Sequence, residues 1–225
     1  MRPKWVSVLL LLLGACAFAA HEEQPEKPGT EDELLARPVA NVGTSSPSVD
    51  LAFQTVIHGS GTAGGEVIME GCAEPSGAAV RFRGSTLREV LDDIITADPD
   101  YVWEVKEGVV NMVPAKGVPD LLTLRIAAFD SGDARSPTTA TTYLFALPEV
   151  RERAAELGIS QRFSGSGLGA IVPGAPPPNL LNVHVQDVTL LEALNAFFRA
   201  NKHGLWIYRE THCKSENFFL VYSSG

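Results

Sequence analysis

Two serines flanked by glycines are the first candidates for nucleophilic chemistry. Ser60 lies in His58-Gly59-Ser60-Gly61, and Ser166 lies between Gly165 and Gly167. A serine hydrolase needs a serine, a base and an orienting acid that meet in space. Neither serine has the Gly-x-Ser-x-Gly surroundings of a strained nucleophile turn. We interpret both segments as flexible turns and predict no catalytic residue in them.

Histidine, cysteine and aspartate offer a second kind of chemistry, which is metal binding or acid–base catalysis. His212 and Cys213 are adjacent, and His184 and His203 lie in the same half of the chain. A zinc site takes three or four ligands at suitable spacing, and neither Cys-x-x-Cys nor His-Glu-x-x-His occurs. A solvated helix face explains the acid pair Asp92-Asp93 better than a glycosidase site does. The sequence therefore predicts no metal, no cofactor and no catalytic residue.

The composition is that of an acidic globular protein. The chain has 225 residues, 45% of them hydrophobic, with 18 Lys and Arg against 27 Asp and Glu and a formal net charge of −9. The apolar fraction argues against disorder of the whole chain. The acidic balance argues against a general nucleic-acid-binding protein, which needs a basic face.

The N-terminus has the pattern of a secretory signal peptide. Arg2 and Lys4 precede an apolar run that is too short for a good membrane span. Two cleavage sites remain open. Ala17-Phe18-Ala19 fits ordinary signal peptidase, whereas Leu13-Gly14-Ala15-Cys16 resembles the lipobox of bacterial lipoproteins, in which the cysteine is acylated. The sequence predicts export to the periplasm, the outer membrane or the extracellular space, with membrane attachment only through the signal peptide or a lipid anchor.

The rest of the chain divides into a tether and two modules. We predict a signal peptide over residues 1–20 and an acidic disordered tether over 21–47, which is rich in acids and prolines and poor in large apolar residues. A first module is predicted over 48–118. A second is predicted over 119–225, and it includes a Gly/Pro-rich loop at 164–178.

Cys72 and Cys213 are the cysteines outside the signal peptide. In an oxidising compartment the two could form a disulfide. Two lone cysteines need not meet in space, and so two free thiols remain the alternative.

An internal repeat organises the two modules. Val80–Glu107 aligns with Val183–Glu210 at a constant offset of 103 residues, and eight of the 28 positions are identical. Each copy reads as strand, helix, strand, strand. Both helices begin with a capping box, Thr86-Leu-Arg-Glu and Thr189-Leu-Leu-Glu, and both show one apolar face. We expect each half to form a small sheet with helices on one face, which is the α+β class.

The repeated unit resembles the short domain at the N-termini of secretins and TonB-dependent outer-membrane receptors, and it is similar to the C-terminal module of anti-sigma regulators. The resemblance covers under half of the chain. The residues that carry it in the first copy are Val80, Phe82, Thr86, Leu87, Glu89, Leu91, Trp103 and Val105. Those in the second copy are Val183, Val185, Thr189, Leu190, Glu192, Leu194, Trp206 and Tyr208.

The resemblance implies a non-catalytic, protein-binding module of the cell envelope. We therefore expect an exported bacterial envelope protein that binds an unidentified envelope protein, with an added strand at a sheet edge as one binding mode. Arg81, Arg83 and Arg88 lie near one another in sequence and form either a partner-binding face or ordinary surface charge. The alternative function is a periplasmic hydrolase with a site between the modules.

Overall fold

A computed structural model describes residues 30–40, 43–72, 79–132, 134, 136–162, 181–213 and 216–224. The predicted signal peptide with Cys16, the first part of the predicted tether and the predicted loop at 164–178 lie outside the described residues. None of the helices in these described ranges combines the length and the apolar composition that a membrane crossing requires.

The described chain forms two modules, which we call module one (residues 31–114) and module two (residues 125–224). Module one contains α1 (Glu31–Leu35), β1 (Ser45–Ser46), α2 (Val49–Ser60), β2 (Ala63–Glu70), β3 (Val80–Arg81), α3 (Leu87–Ala97), β4 (Tyr101–Lys106) and β5 (Val109–Pro114). Module two contains β6 (Arg125–Asp130), α4 (Pro137–Phe145), α5 (Pro148–Glu156), β7 (Ser160–Arg162), β8 (His184–Thr189), α6 (Leu190–Ala200), β9 (Gly204–His212) and β10 (Asn217–Ser224).

Both modules pair their strands in the same way. The first and third strands of each module form a separate antiparallel ribbon, β1 with β3 and β6 with β8. The last two strands form an antiparallel hairpin, β4 with β5 and β9 with β10. The second strand of that hairpin pairs parallel with the second strand of the module, β5 with β2 and β10 with β7. The predicted α+β class with two repeated strand-helix-strand-strand units is confirmed.

The long helices of the repeat show the duplication at the level of single residues. α3 and α6 both have 11 residues and begin at positions that differ by the predicted offset. Each helix begins at the predicted capping box. The hydroxyl of Thr86 accepts from the Glu89 amide, and the Glu89 carboxylate accepts from the Thr86 amide; Thr189 and Glu192 repeat both bonds. These local bonds begin both helices at the same point of the repeat.

A tryptophan-to-helix hydrogen bond is also duplicated. The indole N–H of Trp103 on β4 donates to Oδ1 of Asp92 on α3 at 3.0 Å. The indole N–H of Trp206 on β9 donates to Oδ1 of Asn195 on α6 at 2.9 Å. Both residues of each pair are related by the same 103-residue offset. The two tryptophans therefore tie each hairpin to the helix that precedes it.

The two modules share one six-stranded sheet with the order β4-β5-β2-β9-β10-β7. β2 pairs parallel with β9 over eight successive residues, from Ala63 opposite Gly204 to Glu70 opposite Thr211. We call this pairing the seam. The expected two small sheets are therefore fused edge to edge. The physical reason lies in β2, whose buried, largely apolar residues suit a central strand that pairs on both sides.

The helices of the two modules cover opposite faces of the shared sheet. α1, α2 and α3 pack on the face that carries Ile68, Met112 and Ile207. α4, α5 and α6 pack on the face that carries Val67 and Trp206. Module two is thus turned over relative to module one, and the sheet separates two hydrophobic cores.

Part of the predicted tether is folded. Residues 31–35 form α1, which is capped by reciprocal hydrogen bonds between Thr30 and Glu33. Leu34 and Leu35 are buried against module one, with 7% and 1% exposure. The prediction of disorder is wrong for this part, because two adjacent leucines in one capped turn bury enough apolar surface to order it.

Candidate interaction surface

The outer edge of β4 is an edge of the shared sheet. Its inner edge pairs with β5 through a two-residue turn, in which Glu107 and Gly108 have φ of 52° and 81°. Lys106 and Val109, which flank this turn, bond to each other through their backbones. From Lys106 backward along β4, the backbone groups of successive residues then point alternately toward β5 and away from it. The N–H and C=O groups of Trp103 and Val105 therefore point away from β5. Within the described ranges, no strand pairs with them.

The equivalent edge of module two is the side of β9 that pairs with β2. Cys213 and Glu216 exchange backbone hydrogen bonds at the end of the β9–β10 hairpin, which sets the same alternation along β9. The amides of Trp206 and Tyr208 consequently face β2 in the seam. These two residues correspond, at the repeat offset, to Trp103 and Val105 of β4. In module two this edge of the hairpin is therefore paired with a strand, whereas in module one it has no strand partner in the described chain.

Apolar and aromatic groups surround the outer edge of β4. Trp103 is half-buried, and the guanidinium carbon of Arg88 lies 5.9 Å from the centroid of its ring. On the opposite face of the strand, Val102 is 42% exposed. Exposed apolar side chains, an aromatic ring and an arginine next to free backbone groups are the composition that protein partners bind.

The three arginines named as a candidate partner surface are all exposed, and only Arg88 is seen beside β4. Its guanidinium forms an ion pair with Asp32 of α1 at 3.1 Å, in addition to its contact with the indole. The backbone N–H of Arg83 donates to Asp93 on α3 at 2.5 Å. Arg81 lies in β3, which belongs to the separate ribbon. None of these contacts links the three guanidinium groups to one another.

Cys72 and Cys213 lie just beyond the seam. Continuing the register of β2 and β9 by two residues past Glu70 puts Cys72 opposite Cys213. Sγ of Cys72 donates to the carbonyl oxygen of His212 at 3.5 Å. The pKa of Cys213 is raised, first because the sulfur of Cys72 can accept a hydrogen bond from the Cys213 thiol and so favours its protonated form. Both are free thiols in this structure. A raised pKa lowers the thiolate fraction, which does not suit a catalytic nucleophile.

Glu66 is a fully buried acid in the middle of β2. Its Oε2 accepts from the side-chain amide of Gln54 on α2 at 3.1 Å, and its Oε1 has no hydrogen-bond partner in the described chain. Burial raises the pKa of Glu66 well above its usual range, and the nearby carboxylate of Asp50 raises it further. Ionisation of Glu66 therefore lowers the stability of the folded protein.

Replacing Glu66 by glutamine is expected to stabilise the protein at neutral pH. Near pH 4 both the folded and the unfolded chain hold the proton, and Glu66 carries no charge penalty. As the pH rises, the unfolded chain loses the proton first, so the free energy of unfolding of the natural protein falls until the folded-state pKa is passed. The glutamine variant lacks this loss. At pH values above the folded-state pKa of Glu66, we expect its free energy of unfolding to exceed that of the natural protein by about 1–3 kcal/mol.

Urea unfolding at a series of pH values between about 4 and 8 measures this difference. Glu152→Gln, on an exposed part of α5, is the matched control and should behave like the natural chain at every pH. A stability gain for Glu66→Gln that is equally large at pH 4 would contradict the assignment, because it would not depend on ionisation.

A second group of polar side chains lies along β9 on the other face of the sheet. The hydroxyl of Tyr208 donates to Glu210, and Nε2 of His212 lies 2.6 Å from the second oxygen of the same carboxylate. Burial, together with the charge of Glu210, raises the pKa of Tyr208. His212 is thus engaged in a local hydrogen-bond chain. The described residues contain no group of three or more His, Cys, Asp or Glu arranged to hold a metal ion.

Two features of this surface are not predicted from the sequence. One is the outer edge of β4, because edge position depends on which strands meet in the folded chain. The other is the pair of side chains that bond to the two tryptophans, although Asp92 and Asn195 occupy the same place in the aligned copies. Comparison of the chain with models of protein families, with curated proteins and with solved structures gave no match.

Proposed function

We propose that the protein is an exported bacterial cell-envelope protein whose duplicated modules bind another envelope protein. In this proposal module one takes up an extended segment of that partner along the outer edge of β4. The backbone groups of Trp103 and Val105 supply the hydrogen bonds, and the side chains on either face of β4 supply specificity.

The seam is the observation that carries this proposal. The edge of β9 accepts a parallel strand over eight residues, and the same edge of the duplicated module, on β4, is left without a strand in the described chain. An exposed strand edge is a template for pairing with another chain. The two modules are alike in strand order, helix caps and tryptophan contacts, so we expect the two edges to share this capacity. A parallel added strand follows from the orientation in the seam.

The proposed relationship to secretin and TonB-receptor N-terminal domains rests on the repeated unit. Both copies have the strand, the Thr-Leu-x-Glu helix start and the tryptophan-bearing strand on which the resemblance depends, in that order along the chain. Export rests on the signal-peptide pattern of the N-terminus. Together these features favour an envelope partner over a cytoplasmic one.

A photo-crosslinking amino acid at position 102 tests the proposal in intact cells of the source bacterium. Val102 is exposed on the edge strand, and the reactive group would lie beside an added strand. We expect one defined protein adduct from this position. The same group at Tyr143, which is 52% exposed on α4 of module two, is the control and should not give that adduct.

Val105→Pro supplies the specific test of strand addition. Proline removes the outward-facing N–H of Val105 and is tolerated on edge strands, whereas Val105→Ala keeps the N–H and loses a similar amount of packing. We expect the adduct from position 102 to fall at least about tenfold with Val105→Pro and to persist with Val105→Ala, while both variants keep the circular dichroism of the folded protein. An adduct that survives Val105→Pro in the folded protein would show that binding does not use the edge of β4.

A further inference from the structure

Two cysteine thiols meet at the end of the seam, where the two modules are joined. β2 belongs to module one and β9 to module two, and Cys72 and Cys213 follow them at matching positions of the parallel register. Cα atoms at such positions lie about 4.8 Å apart, within the range that a disulfide spans. Sγ of Cys72 reaches the backbone carbonyl of His212, the residue before Cys213, at 3.5 Å, so its side chain points toward the end of β9.

The side-chain alternation of the strands places both thiols on one face of the sheet. Glu70 and Thr211 are the last register pair of the seam, and their side chains touch: the Thr211 hydroxyl donates to Oε2 of Glu70 at 3.2 Å. Cys72 and Cys213 lie two residues further along each strand, so they share that face. Cys72 is exposed and Cys213 is half-buried, which leaves the pair accessible to a redox partner.

We propose that Cys72 and Cys213 form a disulfide that locks module one to module two across the seam. The reaction is thiol–disulfide exchange with an oxidised disulfide of a protein or a small thiol. One thiol loses its proton and attacks that disulfide, which forms a mixed disulfide and releases the oxidant's other sulfur as a thiolate. The second cysteine, also deprotonated, attacks the protein sulfur of the mixed disulfide and releases the oxidant's remaining sulfur as a second thiolate. In total the two cysteines lose two electrons and two protons, and the oxidant takes up both.

The bridge has a structural consequence for the duplicated fold. It closes a loop of about 140 residues that includes β3 to β9 and the helices α3 to α6. The seam then opens only if the disulfide is reduced, and the arrangement of the two modules persists even when the strand pairing fluctuates. The export part of the proposed function explains where the oxidant is met, whereas the bridge itself depends only on the geometry at the seam.

The test is oxidation of the purified, reduced, folded protein with a small excess of oxidised glutathione. We expect a product about 2 Da lighter than the reduced chain, a proteolytic fragment pair that links Cys72 to Cys213, and a rise of the thermal unfolding midpoint by about 5–10 °C. The reductant dithiothreitol should reverse all three changes.

A variant with the same number of cysteines, one of them moved by a single residue, shows whether bridging depends on the position of the thiols. Gly71→Cys combined with Cys72→Ser moves one thiol by a single residue to the opposite face, at a glycine around which a Cβ meets nothing within 4 Å. We expect this variant to give glutathione adducts and no bridge. The proposal is overturned if the natural chain gives adducts at Cys72 and Cys213 instead of a bridge, or if the shifted variant bridges as readily. Neither result changes the edge of β4, so the proposed partner binding is tested separately.

Discussion

Gly65→Ala is expected to lower the free energy of unfolding by about 3 kcal/mol, the upper end of the usual cost of overpacking a core. Gly65 lies in β2, opposite Trp206 on one side and Asn111 on the other. A Cβ at this position would lie 2.2 Å from Cζ2 of Trp206 and 2.6 Å from Oδ1 of Asn111. Trp206 is fully buried and held by its hydrogen bond to Asn195, so it has no free space into which to move.

Urea unfolding followed by circular dichroism measures this loss. Gly71→Ala is the matched control just beyond the same strand, where an added Cβ meets nothing within 4 Å, and it should change stability by less than about 0.5 kcal/mol. Trp206→Phe in the Gly65→Ala background should recover part of the loss, because the smaller ring leaves room for the methyl group. Equal stability of the two alanine variants would contradict the close packing of Trp206 over β2.

The two tryptophans of the repeat are expected to differ strongly in their contribution to stability. Trp206→Ala should cost about 3–5 kcal/mol, because it removes a fully buried ring and leaves the amide of buried Asn195 without its donor. Trp103→Ala should cost about 1 kcal/mol, because that ring is half-buried and its partner Asp92 is exposed.

Measuring both variants by urea unfolding under the same conditions makes each the control for the other. The physical reason for the difference is the seam: β2 and α6 bury Trp206 in the core of module two, whereas the equivalent edge next to Trp103 is open. A cost for Trp103→Ala as large as that for Trp206→Ala would mean that β4 is covered as thoroughly as β9.

The sequence predicted the parts of the fold that depend on short-range signals. The capping boxes at Thr86 and Thr189 mark where α3 and α6 begin, and Glu107-Gly108 between the last two strands of the first copy is typical of a two-residue hairpin turn. The repeat offset then predicted that the second copy would have the same order of elements. These signals act within a few residues, so they can be read from the chain alone.

The features that the sequence did not predict depend on tertiary contacts. α4 is rich in threonine and lacks a strong amphipathic pattern, yet the burial of Ala140 and Leu144 holds it as a helix. Likewise, the apolar pair Leu121 and Leu122 lies in a turn, and β6 begins only at Arg125. The fusion of two small sheets through β2, which buries Glu66, follows from which edges meet in the folded chain.

For the candidate site, the sequence offered Cys72, Cys213 and Arg88 as candidates but did not predict how they are arranged. Cys72 and Cys213 were left as a disulfide or two free thiols, because residues so far apart in the chain carry no local signal of contact. Trp103 was placed on a strand, and its half-buried position at an open edge emerges only with the sheet order. Arg88 lies at that edge because α3, which carries it, packs beside β4 within module one.

Amide hydrogen exchange of the free protein, measured by NMR, tests the central claim that β4 has an open edge equivalent to the closed edge of β9. We predict that the amides of Trp103 and Val105 exchange at least about 100-fold faster than those of Trp206 and Tyr208, their counterparts in the seam. Similar protection of both pairs of amides would contradict the account, because it would show that the outer edge of β4 is already paired.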